Sequence, residues 1–191
     1  VNRFFEIIKY TWKAKGRHGI HSPFVYDLVD TGFKLGVSKK KLAPIATELG
    51  ISISSLKLLY QLSQHLNFQH IWTNLEKKDL LQSFLLQQDI HSEIHSLKQL
   101  EETKNELHAG LIFLDCSKLS NWNWDTIIER IPMLNEQTLI VLLGIRRDKQ
   151  AFLKWNDLVS DAAFHFTADL YQFGLLSKRS FQEKEHFVLR Y

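Results

Sequence analysis

With 191 residues, of which 45% are apolar, 12% aromatic and 24% charged, the chain carries enough apolar material for one sizeable core and too much for a disordered tract. Its formal net charge of +3 admits anionic partners without demanding them. The single cysteine, Cys116, excludes an internal disulfide and fits a reducing compartment. No apolar run approaches the ~20 residues that span a bilayer, and the first residues lack the apolar core of a signal peptide, so a soluble, cytoplasmic protein is expected.

Residues 2–15 set Phe4, Phe5, Ile8 and Trp12 at helical spacing on one side, with Arg3, Lys9, Lys13 and Lys15 between them. This predicts a basic amphipathic helix that either packs on the domain or touches a membrane surface or nucleic acid. After a turn bearing His18 and His21, Ser22 and Pro23 read as the N-cap and first residue of a second helix, FVYDLV. Gly32, Gly36 and the run Lys39-Lys40-Lys41 mark a loop, with the lysines as a solvated face. Leu42 to Leu66 gives two short helices split at Gly50-Ile51-Ser52.

From there strands and helices alternate. Phe68–Thr73 is predicted as the first strand, Glu76–Gln87 as a helix, Asp89–His95 as a weak strand and Leu97–Leu107 as a charged helix. Leu111–Cys116 (LIFLDC) and Thr138–Leu143 (TLIVLL) are continuous apolar runs of the kind buried on both faces of a parallel sheet, joined by a helix at Trp124–Leu134. Asp115 then stands at a strand's carboxyl end, where open α/β sheets bind their ligands. A helix at Asp148–Leu158 and a strand at Phe164–Leu170 follow. The alternating HFVLRY, His186–Tyr191, reads as that strand's antiparallel hairpin partner. A parallel series closed by an antiparallel hairpin points away from the dinucleotide dehydrogenases and toward the methyltransferase variant of the doubly wound sheet.

The segments HGIHSPFVYDLV, LLYQLSQHL with FQHIWTN, LIFLD, TLIVLLGI with Trp155 beyond it, TADLYQFGLL and KEHFVLRY together resemble a family of class I S-adenosylmethionine-dependent methyltransferases common in Bacteroidetes. The likeness runs from about residue 3 to the last residue. It implies a Rossmann-like, mostly parallel sheet over 67–191, a helical cap and lead-in over 1–66, S-adenosylmethionine as cofactor, and methyl transfer to a small molecule, an O-methyltransferase reaction. Thr73, Asn74, Glu93, Asp115 and Cys116 are then the expected cofactor-binding residues, Glu93 as the acid for the ribose hydroxyls. Asp115, His18 and His21 are the catalytic candidates, with Ser22 on the substrate side.

Several positions depart from the family's pattern. Where the family carries a glycine motif after its first strand, so that the backbone can approach the cofactor, this chain has Thr73-Asn74-Leu75-Glu76-Lys77-Lys78-Asp79, without glycine. Cys116-Ser117-Lys118 replaces Gly-Asn-His after LIFLD, and Leu143-Gly144 replaces an acidic pair suited to a divalent metal or a substrate hydroxyl. A third strand and helix expected before LIFLD have no room between Leu97 and Ala109. An alternative register makes Glu48-Leu49-Gly50 the glycine motif and Glu76 the ribose acid, but Pro44 and poor alternation argue against a strand there.

Residues 42–62 also carry the small residue, glycine and apolar residue of a DNA-binding helix-turn-helix, at Ala46, Gly50 and Leu56, yet the would-be recognition helix offers Ser54, Ser55 and Lys57 rather than base-reading side chains, so nucleic acid is not expected. His91 and His95 lack a completing cysteine or carboxylate cluster, and no metal site is expected. Trp122 and Trp124 read as anchors for the following helix. Two functions remain: a methyltransferase with an eroded cofactor motif, and a non-catalytic binding or scaffolding module of the same fold.

Overall fold

The computed structural model describes residues 3–15, 20–102, 109–118, 129–130, 133–179 and 183–191. Strands β3 (Gly110–Asp115) and β4 (Leu139–Leu143) lie side by side and parallel, Leu111 opposite Leu139 and Asp115 opposite Leu143. Their apolar runs are unbroken because successive side chains enter two different cores. Leu111, Phe113, Leu139, Val141 and Leu143 pack into the core shared with the N-terminal helices, while Ile112, Leu114, Ile140 and Leu142 pack with Trp155 and Leu158 on the opposite face.

Around this pair the sheet has seven strands in the order β2-β1-β3-β4-β6-β5-β7. β1 (His70–Thr73) lies between β3 and β2 (Glu93–Ser96), parallel to both. β5 (Phe166–Asp169) and β6 (Phe173–Ser177) form the antiparallel hairpin, and β6 slots between β5 and β4. This is the expected doubly wound α/β sheet with a closing hairpin, but the hairpin's second strand is FGLLS rather than the C-terminal segment. The C-terminal β7 (Glu185–Val188) instead runs parallel to β5. Alternation in HFVLRY marks a half-buried edge strand, and alternation carries no direction. Gly174 in β6 lies against the Trp155 indole, where a Cβ would stand 2.4 Å from the ring.

Helices α1 (Arg3–Lys13), α2 (Pro23–Asp30), α3 (Lys39–Leu49) and α4 (Ile53–Leu66) precede the sheet. Pro23 is the first residue of α2 with Ser22 as N-cap, as the sequence predicts, although the Ser22 side chain makes no capping bond. The lysine run expected as a loop is the first turn of α3. Leu42, Ala46 and Leu49 bury one face there, and that packing outweighs Pro44 inside the helix. Gly50 ends α3 in the left-handed conformation (φ 68°), so Glu48-Leu49-Gly50 is a helix terminus and the alternative register for the first strand falls. α4 begins where Ser52 Oγ accepts from the Ser55 amide at 3.0 Å. The buried Gln61 on α4 donates to the carbonyls of Phe33 (2.6 Å) and Leu35 (2.9 Å), tying the lead-in to the helix.

Helices α5 (Lys78–Gln87), α6 (Leu97–Glu102) and α7 (Lys149–Ser160) complete the layers. Among the described residues β2 is the edge strand, with no strand beyond it. The helix expected over Trp124–Leu134, with Trp122 and Trp124, lies largely outside the described residues. Glu129 and Arg130 are helical. No single helix among those described is long and apolar enough to cross a membrane.

Candidate functional site

Parallel strands bring their carboxyl ends to one rim, and the strand order reverses between β1 and β3, the place where such sheets bind ligands. Thr73, Asn74, Asp115 and Cys116 lie there. Their bonds are to one another and to the backbone. The Asn74 amide donates to the Asp115 carbonyl and accepts from the Asp115 N–H, both at 2.9 Å, standing in for the next rung of the β1–β3 ladder. Thr73 is buried, and its Oγ1 accepts from the Leu75 amide. Asp115 Oδ1 accepts from the Ser117 N–H at 2.8 Å, leaving the half-buried carboxylate its second oxygen. Burial, and secondarily the Asp115 charge, push the Cys116 thiol up to about 12, so it stays protonated and is no nucleophile at neutral pH.

Beside this junction a crevice of about 290 Å³ opens between Gly50, Ile51, Ser52 and Ser55, where α3 gives way to α4, and the rim formed by β3, β4 and β6, at the lower bound of small-molecule pockets. Asp115, Arg146 and Arg147 are the charged residues of its lining, with Ser52, Ser55, Ser117, Tyr171 and Gln172 as further polar groups. Arg146 forms a bidentate pair with Asp169 of β5, donates to the Tyr171 carbonyl at 2.8 Å and lies between the rings of Tyr10, Phe152 and Tyr171. Burial first, then the Asp169 charge, raise the Tyr10 hydroxyl to about 12. Sequence reasoning missed this assembly. Its one local signal is an arginine pair directly after a strand that the family ends with acids. At the β4 end the chain therefore presents cations where the resemblance implies anions, and Arg147 is matched by Asp148 at 2.8 Å.

The remaining expected site residues lie elsewhere. Glu93 is the first residue of β2 and pairs in register with His70, so it stands at the amino end of the sheet, opposite to where a ribose acid is needed. The carboxyl end of β2 is Ser96, which caps α6 reciprocally with Gln99. His21 and Ser22 do not line the crevice. They lead into Phe24, which packs edge-on against Phe166, the first residue of β5, again at the amino end. His18 lies outside the described residues. α3 and α4 meet at 109°, within the range of a helix-turn-helix; α4 buries Ser55, Leu56, Leu58, Leu59, Gln61, Leu62 and Ser63 and leaves Ile53, Lys57, Tyr60 and Gln64 as a part-exposed stripe, with Lys57 over the Tyr191 ring. His95 meets His70 rather than His91.

The residues present do not fit S-adenosylmethionine in the manner the resemblance implies: the approach after β1 has no glycine and is bridged by Asn74, and β2 ends without an acid. No protein-family model matches the sequence, and none of the curated proteins matches it. Among solved structures, a methyltransferase from Geobacter sulfurreducens superposes with a TM-score of 0.51 at 14% sequence identity, covering 82% of this chain and 96% of that one. The chain thus has a methyltransferase-like, Rossmann-like α/β fold.

Proposed function

We propose that the protein is a shortened methyltransferase-fold module, akin to the Bacteroidetes-type family, that has given up S-adenosylmethionine and acts as a non-catalytic binding module. The Asn74 amide carries this reading, because its two hydrogen bonds to the Asp115 backbone occupy the place after β1 where the resemblance implies a glycine-lined approach to the cofactor. Titration calorimetry with S-adenosylmethionine and S-adenosylhomocysteine tests it. No heat is expected at millimolar ligand, and micromolar binding of either would restore the alternative, a small-molecule O-methyltransferase, which the neighbouring crevice with Asp115 on its wall supports.

The module's contact surface on this reading is α1. The helix docks through Tyr10, whose hydroxyl donates to the Leu189 carbonyl, and is followed by buried Ala14, leaving Phe5, Ile8 and Trp12 exposed on another side, Trp12 at 88%. Exposed aromatic and aliphatic side chains interleaved with Lys9, Lys13 and Lys15 suit an anionic lipid surface. Vesicles containing phosphatidylserine should co-sediment the protein, and Trp12→Glu should abolish this without changing the fold. Equal retention by both proteins would remove α1 from the reading.

A further inference from the structure

At the amino edge of the sheet, remote from the carboxyl-end crevice, three potential metal ligands converge. His70 on β1 is opposite Glu93 on β2, and His95 lies one step of two residues further along the same face of β2. His70 Nδ1 and His95 Nε2 are 3.1 Å apart, and Glu93 Oε2 is 3.7 Å from each. The three atoms lie within 4.8 Å of one another. The carboxylate is thus aimed at both imidazoles from beyond hydrogen-bond reach. The triangle has its centre about 2.0 Å from every corner, whereas zinc binds imidazole nitrogen at about 2.0–2.1 Å and carboxylate oxygen at about 2.0–2.2 Å.

We propose that His70, Glu93 and His95 form a binding site for a divalent transition metal of the zinc class, held on the edge strands by three protein ligands with a further position open to solvent or an added ligand. Two imidazoles favour zinc, copper or nickel over magnesium or calcium, which take all-oxygen sets. A parallel ladder fixes the separation, because the paired and diagonal positions on one face of two strands cannot drift without breaking the register. The imidazoles are held from behind. The Trp72 ring stacks on His95 at 5.5 Å and 28° and lies 5.8 Å from His70. Trp72 in turn lies over Gly110, where a Cβ would stand 2.5 Å from its ring. The imidazoles are about three-quarters covered while Glu93 is 72% exposed, so an ion can arrive from the Glu93 side. His70 also borders an open cavity of about 630 Å³.

The test is titration of the tag-free, chelator-treated full chain with zinc chloride by calorimetry, paralleled by the visible spectrum of the cobalt-loaded protein. One equivalent should bind at micromolar or tighter affinity, and cobalt should give the intense bands of a low-coordination site. Glu93→Gln and His95→Gln should each weaken zinc at least about tenfold, since even groups that only orient ligands cost 10–100-fold. His91→Gln, a change at an exposed neighbour, should leave affinity unaltered. If His95→Gln fails to fold by circular dichroism, the exposed Glu93→Gln carries the comparison alone. Absence of zinc uptake, or uptake unaltered by Glu93→Gln and by a His70→Gln/His95→Gln double variant, would overturn the site and leave a histidine pair that simply hydrogen-bonds.

Discussion

Asp169 meets Arg146 with only 7% and 16% of their side chains exposed, so each charge depends on the other for what water no longer supplies. Its Oδ1 also accepts from the Tyr171 amide, which holds the β5–β6 turn against the cation. Asp169→Asn should therefore cost about 3–5 kcal/mol in urea unfolding, the usual consequence of leaving one partner of a buried pair uncompensated. A loss below about 1 kcal/mol would mean that Arg146 reaches solvent through the crevice instead. The contrast with Arg147 is instructive at the same scale. Its pair with Asp148 is about half exposed and contributes little, and Asp148 is occupied as the N-cap of α7, accepting from the Ala151 amide. Nothing in the local sequence separates the two arginines. Only the position of Asp169, 23 residues on, decides which of them becomes structural.

The β5–β6 hairpin is the element whose place in the sheet the sequence leaves open. FGLLS is short, contains a glycine and follows the preceding strand after only Leu170-Tyr171-Gln172, so its apolar residues read as a continuation of TADLYQ rather than as a strand of their own. Its insertion beside β4 rests on Gly174, over which the Trp155 ring of α7 lies. Gly174→Ala would place a methyl within 2.4 Å of that ring, and with Trp155 fully packed the expected cost is about 1–3 kcal/mol. A smaller ring-facing partner, as in Gly174→Ala combined with Trp155→Leu, should show a favourable coupling in a double-mutant cycle. Additivity of the two changes would show that the strand, not the ring, yields.

Over the whole molecule, several groups hold protons differently in the folded and unfolded chain. Burial raises Tyr10 and Cys116 to about 12 and lifts Tyr191 as well, so above the ordinary values of about 9–10 the unfolded chain sheds protons that the native state keeps, and stability falls with rising pH until the folded values are reached. Burial lowers His186, so below about pH 6.5 the unfolded chain takes up a proton the native state refuses, and stability falls toward acid. Urea midpoints measured from pH 5 to 11 should thus form a plateau near pH 7–9 with a loss on each side. A midpoint unchanged to pH 11 would contradict the burial of the three groups.

The sequence by itself determined the layers. Unbroken apolar runs at 111–114 and 139–143 could only be strands buried on both faces, and Pro23, Gly50 and the helical periodicities fixed where most N-terminal helices start or stop. It also brought Thr73, Asn74, Asp115 and Cys116 to one rim, because parallel strands share a carboxyl end. Only the tertiary structure decided what those residues do there, since Asn74 acts on the backbone of a residue 41 positions away. The same holds for Glu93, which the strand predicted over Asp89–His95 places toward the carboxyl end, whereas the observed strand begins at Glu93. Register against His70 sends it to the amino edge and gives it two imidazoles for neighbours. Local physics sets periodicity and boundaries, but strand direction, register and long-range pairs are properties of the sheet as a whole.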